Sequence, residues 1–282
     1  MPSSSEMNVM QQRNDLQSAK VASFEQAYAD ALEKKVLPGY ALIAGDKDGN
    51  ILYSKAAGFT SLDKETAQPF TLDTICWIAS MTKLLTSVAC LQAVEAGLLT
   101  LDTPVETILP EIAKHGLIID FDDAKNEGIY EQPTTKITLR MLLTHTSGHE
   151  YDWFSPLLLK WRRSRNESPT AGSTIEQKFS LPLVFEPGTG FSYGGGTDWA
   201  GKMLERVTGS SLEDFTRERV LKPLGITDIS FFLTDRFDMR GRLATMSTHG
   251  DEGTVFADAC AIRGDEFTGG DEEDVEFCGD GV

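Results

Sequence analysis

Ser80-Met-Thr-Lys83-Leu-Leu-Thr-Ser-Val-Ala-Cys90-Leu-Gln-Ala-Val-Glu95-Ala-Gly97 is the run on which the reading of this chain turns. Apolar residues at Leu84, Leu85, Val88, Ala89, Leu91, Val94 and Leu98 cover nearly every face of a helix. This predicts a buried helix with Gly97 as its C-terminal stop. Ser80 opens the helix, and a lysine three positions later projects from the same face, so the two side chains can share a hydrogen bond. The helix dipole and free N–H groups at such a start favour a serine alkoxide, and a lysine held in low dielectric is able to take the serine proton. Ser-x-x-Lys alone is a weak signal, because Ser61-Leu-Asp-Lys64 repeats it in a polar turn with no apolar helix behind. A helix-capping serine with an incidental lysine is the plainer account of a single copy.

Working outward, residues 1–10 are polar and read as disordered, after which Leu16, Val21, Phe24, Tyr28, Ala31 and Leu32 recur at helical spacing as far as Lys34. Tyr40-Ala-Leu-Ile-Ala-Gly45 and Ile51-Leu-Tyr-Ser-Lys55, either side of an Asp48-Gly49 turn, read as a β-hairpin. Beyond Gly97, the stretch 101–135 carries Pro104, Pro110 and Pro133 among scattered charges and reads as loops and turns. Ile137-Thr-Leu-Arg-Met-Leu-Leu143 starts a short helix that stops at Thr144, and Tyr151 to Gln177 reads as a lid or loop over a cleft. A further helix is predicted from about Asp198 to Thr208, with Trp199, Met203, Leu204 and Val207 on one face and Gly209 as its stop. Ser210-Ser-Leu-Glu213 matches a capping box for a helix running to about Leu221, before Pro223.

Composition bounds the function. The chain has 282 residues, 40% hydrophobic and 24% charged, enough to bury a core without disulfides. Its longest apolar stretches are too short or too broken to span a bilayer, and the first twenty residues lack the apolar segment of a signal peptide. A cytoplasmic location is therefore the expectation. The formal charge of −17 argues against nucleic acid or an anionic membrane surface as the main partner. Between Asp251 and Val282 lie eleven acidic residues and one basic residue, a run that reads as a solvated end. Cys76, Cys90, Cys260 and Cys278 form no C-x-x-C pair, so reduced and mostly buried thiols are expected, and no metal or cofactor is implied. His145 and His149 are four apart, but Gly148 between them breaks the helix that a metal pair needs.

A second chemical signal is Tyr193, in Phe191-Ser-Tyr-Gly-Gly-Gly-Thr-Asp-Trp199. Brought near Lys83, a loop tyrosine can shuttle a proton between serine and leaving group. An aromatic packed on the helical core is the plainer alternative. Four segments now stand in order: Ser80-Met-Thr-Lys83; Ile137 through Leu-Leu-Thr-His145-Thr-Ser-Gly148; Glu186-Pro-Gly-Thr-Gly-Phe-Ser-Tyr193; and Asp198-Trp-Ala-Gly201 with Pro223-Leu-Gly225. Together they make the chain resemble the serine β-lactamase and penicillin-binding-protein superfamily, in its class C-like branch of esterases and lovastatin-type acyltransferases. The likeness spans roughly residues 20–235.

The resemblance implies an α+β, β-lactamase/transpeptidase-like fold: an antiparallel sheet flanked by helices, with a mainly helical second domain. Residues 11–282 would form one such unit. Within it, 11–75 supply a helix and hairpin of the sheet domain, 76–235 the mainly helical domain, and 236–282 an acidic partial return to the sheet. It also implies acyl-enzyme chemistry on small ester, thioester or amide substrates, with Ser80 as nucleophile, Lys83 as its base and Tyr193 as partner acid/base. His145 falls in the family's structural turn and is expected to be scaffold.

Two departures follow. β-Lactamases place an asparagine two residues after the tyrosine, whereas Gly194 and Gly195 follow Tyr193 here, which leans the substrate toward esters or thioesters. The family also places a Lys/His-Thr-Gly strand later in the chain, and this sequence ends at Cys278-Gly-Asp-Gly-Val282 without one; Thr248-His249-Gly250 reads as a polar turn that mimics it. The resemblance therefore implies a C-terminally truncated member, short of sheet strands and of one oxyanion-hole donor. Losing such a donor costs about 10²–10³ in rate, so an impaired relative acting as a binding module is the alternative.

A competing reading takes Gly190-Phe-Ser192-Tyr-Gly194 as the nucleophile elbow of an α/β-hydrolase, with Asp228 or Asp235 and then His249 completing the order. It requires a strand running into Gly190 and a helix starting at Ser192, and Pro187 and three glycines argue against both.

Overall fold

Asp46 closes the first hairpin through its own side chain: one carboxylate oxygen accepts the backbone N–H groups of Asp48 and Asn50, each at 2.9 Å, and the other accepts the Asn50 amide at 2.8 Å. The computed structural model describes residues 4–112, 114–249 and 255–258. The chain divides into two compact units whose described parts lie within Met1–Cys76 plus Arg240–Arg263 and within Trp77–Met239.

In the first unit, helix α1 (Ser4–Glu33) lies against the antiparallel pair β1 (Gly39–Gly45) and β2 (Ile51–Gly58). The helix runs on from Ser4, where the composition predicts disorder as far as residue 10, because Glu6, Met7, Met10 and the glutamines that follow are good helix formers and no Gly or Pro interrupts 4–33. Phe24 and Tyr28 meet Tyr53 and Tyr40 at ring distances of 6.0 and 4.9 Å, and Glu25 ties Tyr53 and Lys55 to the helix. The far side of the hairpin leaves Ile43 and Leu52 exposed. Strands β5 (Ser247–His249) and β6 (Val255–Asp258) pair antiparallel in the same unit, so Thr248 and His249 stand in a strand and not in the polar turn expected. The rest of the acidic run, with Cys260 and Cys278, lies outside the described residues.

The second unit is built around α2 (Thr82–Glu95) and α6 (Gly196–Thr208). The expected all-round burial of α2 does not hold. Leu84, Leu91 and Leu98 are exposed, while the buried residues are Thr82, Lys83, Thr86, Ala89, Cys90 and Ala93. Their spacing is that of one narrow helix face, and its small side chains let α6 approach until Cys90 Sγ lies 3.6 Å from the Ala200 carbonyl. There the Cys90 thiol is pushed up to about 12 by burial, so it is inert, whereas Cys76 is exposed, against the expectation of buried thiols. Trp199, Met203 and Leu204 of α6 meet Leu109, Leu139, Leu142 and Leu183 in the core.

The region 101–135 holds a hairpin that its prolines concealed, β3 (Leu117–Asp122) with β4 (Glu127–Glu131). Helix α3 (Leu139–Leu143) starts at Thr138, whose hydroxyl accepts the Met141 N–H. The segment read as a lid contains α4 (Pro156–Ser164), capped by Ser155, and α5 (Ile175–Phe179), capped by Thr174. Helix α7 (Leu212–Thr216) is capped by Ser211 and not by Ser210. All described strand pairs are antiparallel and the remainder is mainly helical, an α+β fold.

Candidate active site

Ser80 sits in a 3₁₀ turn (Ala79–Met81) that leads straight into α2. Ala79 takes a φ of +44°, a left-handed conformation that costs a residue with a Cβ and recurs where chain geometry serves chemistry. The turn directs Ser80 Oγ at the lysine: Lys83 Nζ donates to it at 3.4 Å, and Lys83 is 9% exposed. Over Lys83 Nζ stand two aromatic rings, Tyr193 at 5.1 Å and Tyr151 at 5.7 Å, with their rings edge to face at 5.5 Å.

Tyr193 is held by backbone on both sides. Ser192 N–H donates to the His145 carbonyl at 3.0 Å, and the Tyr193 carbonyl accepts Tyr151 N–H at 3.2 Å. The glycines that follow are required by contact. A Cβ at Gly194 would lie 2.7 Å from the His149 carbonyl oxygen, and one at Gly195 would lie 2.7 Å from Phe179 Cγ. The loop thus lies too close to its neighbours for a side chain at either position.

The structure brings Ser80, Lys83 and Tyr193 together and assembles neither of the other candidate sets among the described residues. Ser61 lies in a turn where its hydroxyl accepts Asp63 N–H at 3.0 Å, and no helix carries Lys64 back toward it. Ser192 Oγ donates to Glu150 Oε1 at 2.6 Å, no strand enters Gly190, and α6 starts only at Gly196. Asp228 faces Arg236 at 3.8 Å, and the side chain of His249 lies outside the described residues. Tyr151 and Glu150 were not singled out in the sequence; the aromatic run Tyr151-Asp-Trp153-Phe154 was the available signal. Trp153 stacks on Tyr151 at 4.3 Å.

Two histidines flank the site. The His145 ring packs on Tyr193 at 4.7 Å and on Phe191 at 6.0 Å; burial, and then the Lys83 cation, hold it below the usual histidine range. His149 is wholly buried beside Ser147 Oγ at 3.0 Å, and burial pushes it down to about 4, only partly offset by the Ile112 backbone carbonyl. The sign of the consequence is fixed. With a folded value below the unfolded value of about 6.5, His149 supports the fold fully above that pH and loses its contribution as pH falls toward about 4. The expected result is a loss of about 2 kcal/mol between about pH 7 and pH 5, read from urea midpoints. His149→Gln should flatten that slope, and an equal slope in both proteins would remove His149 as its source.

The α+β frame and the order of its elements are those of the serine β-lactamase and penicillin-binding-protein-like superfamily. The chain belongs to the beta-lactamase family, whose model matches residues 24–260. It is 41% identical over 221 residues to a lovastatin esterase of Penicillium rubens, covering 77% of this chain and 54% of that protein. It is 37% identical over 257 residues to a monacolin J acid methylbutanoyltransferase of Aspergillus terreus, covering 89% of this chain and 62% of that one. A mutant of the Aspergillus terreus simvastatin synthase superposes with a TM-score of 0.79 at 35% identity, over 93% of this chain and 63% of that chain. The chain thus spans less than two thirds of the length of these relatives. No helix among the described residues is long and apolar enough to cross a membrane.

Proposed function

We propose that this chain carries the acylation machinery of a serine esterase or acyltransferase acting on small ester or thioester donors. The observation that carries the reading is the 3.4 Å contact from Lys83 Nζ to Ser80 Oγ under the Tyr193 ring. In the proposed reaction Lys83 takes the Ser80 proton as Oγ bonds to the donor carbonyl carbon. The tetrahedral intermediate then expels the alcohol or thiol, which leaves with a proton relayed through Lys83 and Tyr193. Water or an acceptor alcohol attacks the acyl-Ser80 ester by the reverse sequence, giving hydrolysis or transfer. The names of the relatives, an esterase and a methylbutanoyltransferase, support this choice of donors over β-lactams. So does glycine at position 195, which offers no side-chain amide to an acyl-amide group.

The test is intact-protein mass spectrometry after brief exposure to a p-nitrophenyl ester. Wild type and Ser192→Ala should gain the acyl mass, and Ser80→Ala should not. An adduct that persists in Ser80→Ala and disappears in Ser192→Ala would transfer the nucleophile to Ser192 and overturn the proposal.

A further inference from the structure

The His145 imidazole packs on Tyr193, and the loop that carries it is built in an unusual way. Directly after α3 the chain reverses at His145 with a φ of +57°, left-handed for a residue that is not glycine. The reversal presents the His145 carbonyl to Ser192 N–H and lays the imidazole on Tyr193 at 4.7 Å, tilted by 43°. Backbone and ring of one residue therefore set both the position of the tyrosine's neighbour and the packing of the tyrosine itself.

We propose that His145 is a positioning residue that braces Tyr193 only while its imidazole is neutral, so that protonating this ring displaces Tyr193 from Lys83 and closes the site down. The inference rests on the reading of Ser80, Lys83 and Tyr193 given above. Its first support is hydrogen bonding: His145 Nδ1 is buried and has no partner, which suits the neutral tautomer carrying its proton on Nε2. An imidazolium donates from both nitrogens, so the second proton would sit on an atom with nothing to accept it.

The second support is charge. From α2, the group that bears on the ring is Lys83, which repels a second positive charge whenever it carries its own proton. From the loop, Phe191 and Tyr193 offer ring surface. The nearby Glu150 carboxylate is engaged by the Ser192 hydroxyl. Burial and Lys83 act in the same direction, so the ring stays neutral through the neutral range and charges only in acid.

The experiment uses the whole chain with ¹³C-labelled tyrosine, Tyr193 being assigned by its loss in Tyr193→Phe. The comparison variant is His145→Asn, since asparagine tolerates the left-handed backbone and does not titrate here. As pH falls from about 7.5 into acid, for as long as the protein stays folded, the Tyr193 ring signals should move in wild type and stay in place in His145→Asn. Signals that stay fixed in wild type, or move equally in both proteins, would overturn the inference, whether or not the ester is turned over. The kinetic consequence is read as p-nitrophenol release. The wild-type acylation rate should fall about tenfold or more over that interval, and the fall should shrink by about threefold in His145→Asn. A purely structural role for His145 would lower the rate by one factor at every pH. Loss of the adduct in Ser80→Ala is scored separately, so failure of the nucleophile assignment and failure of the brace are distinguishable.

Discussion

Replacing Arg162 by alanine is expected to cost about 3–5 kcal/mol of stability, because it strands a buried charge. Arg162 on α4 is 2% exposed and uses its whole guanidinium. Nε donates to Asp152 Oδ2 at 2.9 Å, Nη1 to Glu167 Oε2 at 2.8 Å, and Nη2 to the Lys178 carbonyl at 2.7 Å. Asp152 is 1% exposed, and without the arginine the oxygen it shares keeps the Thr170 N–H at 2.9 Å. A five-residue helix such as α5 cannot hold itself, so the bonds from Arg162 to its last turn also fix the end on which Phe179 sits. The fold is expected to open at the segment following Tyr151, next to the site. The readout is the free energy of urea unfolding. The double replacement Asp152→Leu with Arg162→Leu should cost less than either single change, since removing both charges removes the stranded one. A loss below about 1 kcal/mol in Arg162→Ala would mean that solvent reaches the pair.

Gly195→Asn, which restores the amide that β-lactamases carry after their tyrosine, is expected to gain no β-lactam hydrolysis and to lose about 1–3 kcal/mol of stability through overpacking. The Cβ would meet Phe179 at 2.7 Å from Cγ and 2.8 Å from Cδ1, atoms near the root of a side chain that is 2% exposed. Such a ring cannot swing aside as the tip of a flexible chain would. Pairing the change with Phe179→Ala should relieve the clash, although the cavity left by the ring has its own cost of about 3–5 kcal/mol. Chromogenic cephalosporin hydrolysis, measured beside urea unfolding, checks both halves. A stable Gly195→Asn protein that hydrolyses the cephalosporin would show that the glycine was a choice of substrate and not of packing.

The parts of this molecule that were legible in the sequence are those fixed by local rules. Asp48-Gly49 marks the turn of the first hairpin, which the Asp46 carboxylate closes by accepting the Asp48 and Asn50 N–H groups, and Gly209 ends α6 in a left-handed turn. The proximity of Ser80, Lys83 and Tyr193 follows the order of four motifs in the chain, no one of which is decisive alone. The parts that were not legible depend on distant partners. Leu117-Ile-Ile-Asp-Phe121 becomes a strand through its pairing with β4 and a bridge to Leu183, and nothing local announces either contact. Tyr151 reaches Lys83 because the Arg162 and Asp152 pair anchors the adjoining turn, a contact across ten positions that periodicity does not encode. In α2 hydrophobicity does not report depth, because the close approach of α6 selects for small size.

That narrow seam of Ala89, Cys90 and Ala93 separates two properties that are usually tied together in one helix. Cohesion resides in the residues with the least side chain, while stickiness toward other molecules resides in Leu84 and Leu91, which contribute little to the interior. An engineer can therefore rewrite the outward leucines for solubility or crystallisation while leaving the seam untouched. The same engineer would find almost no freedom at the alanines, where one added methylene pushes two helices apart and carries the lysine beneath Tyr193 with it.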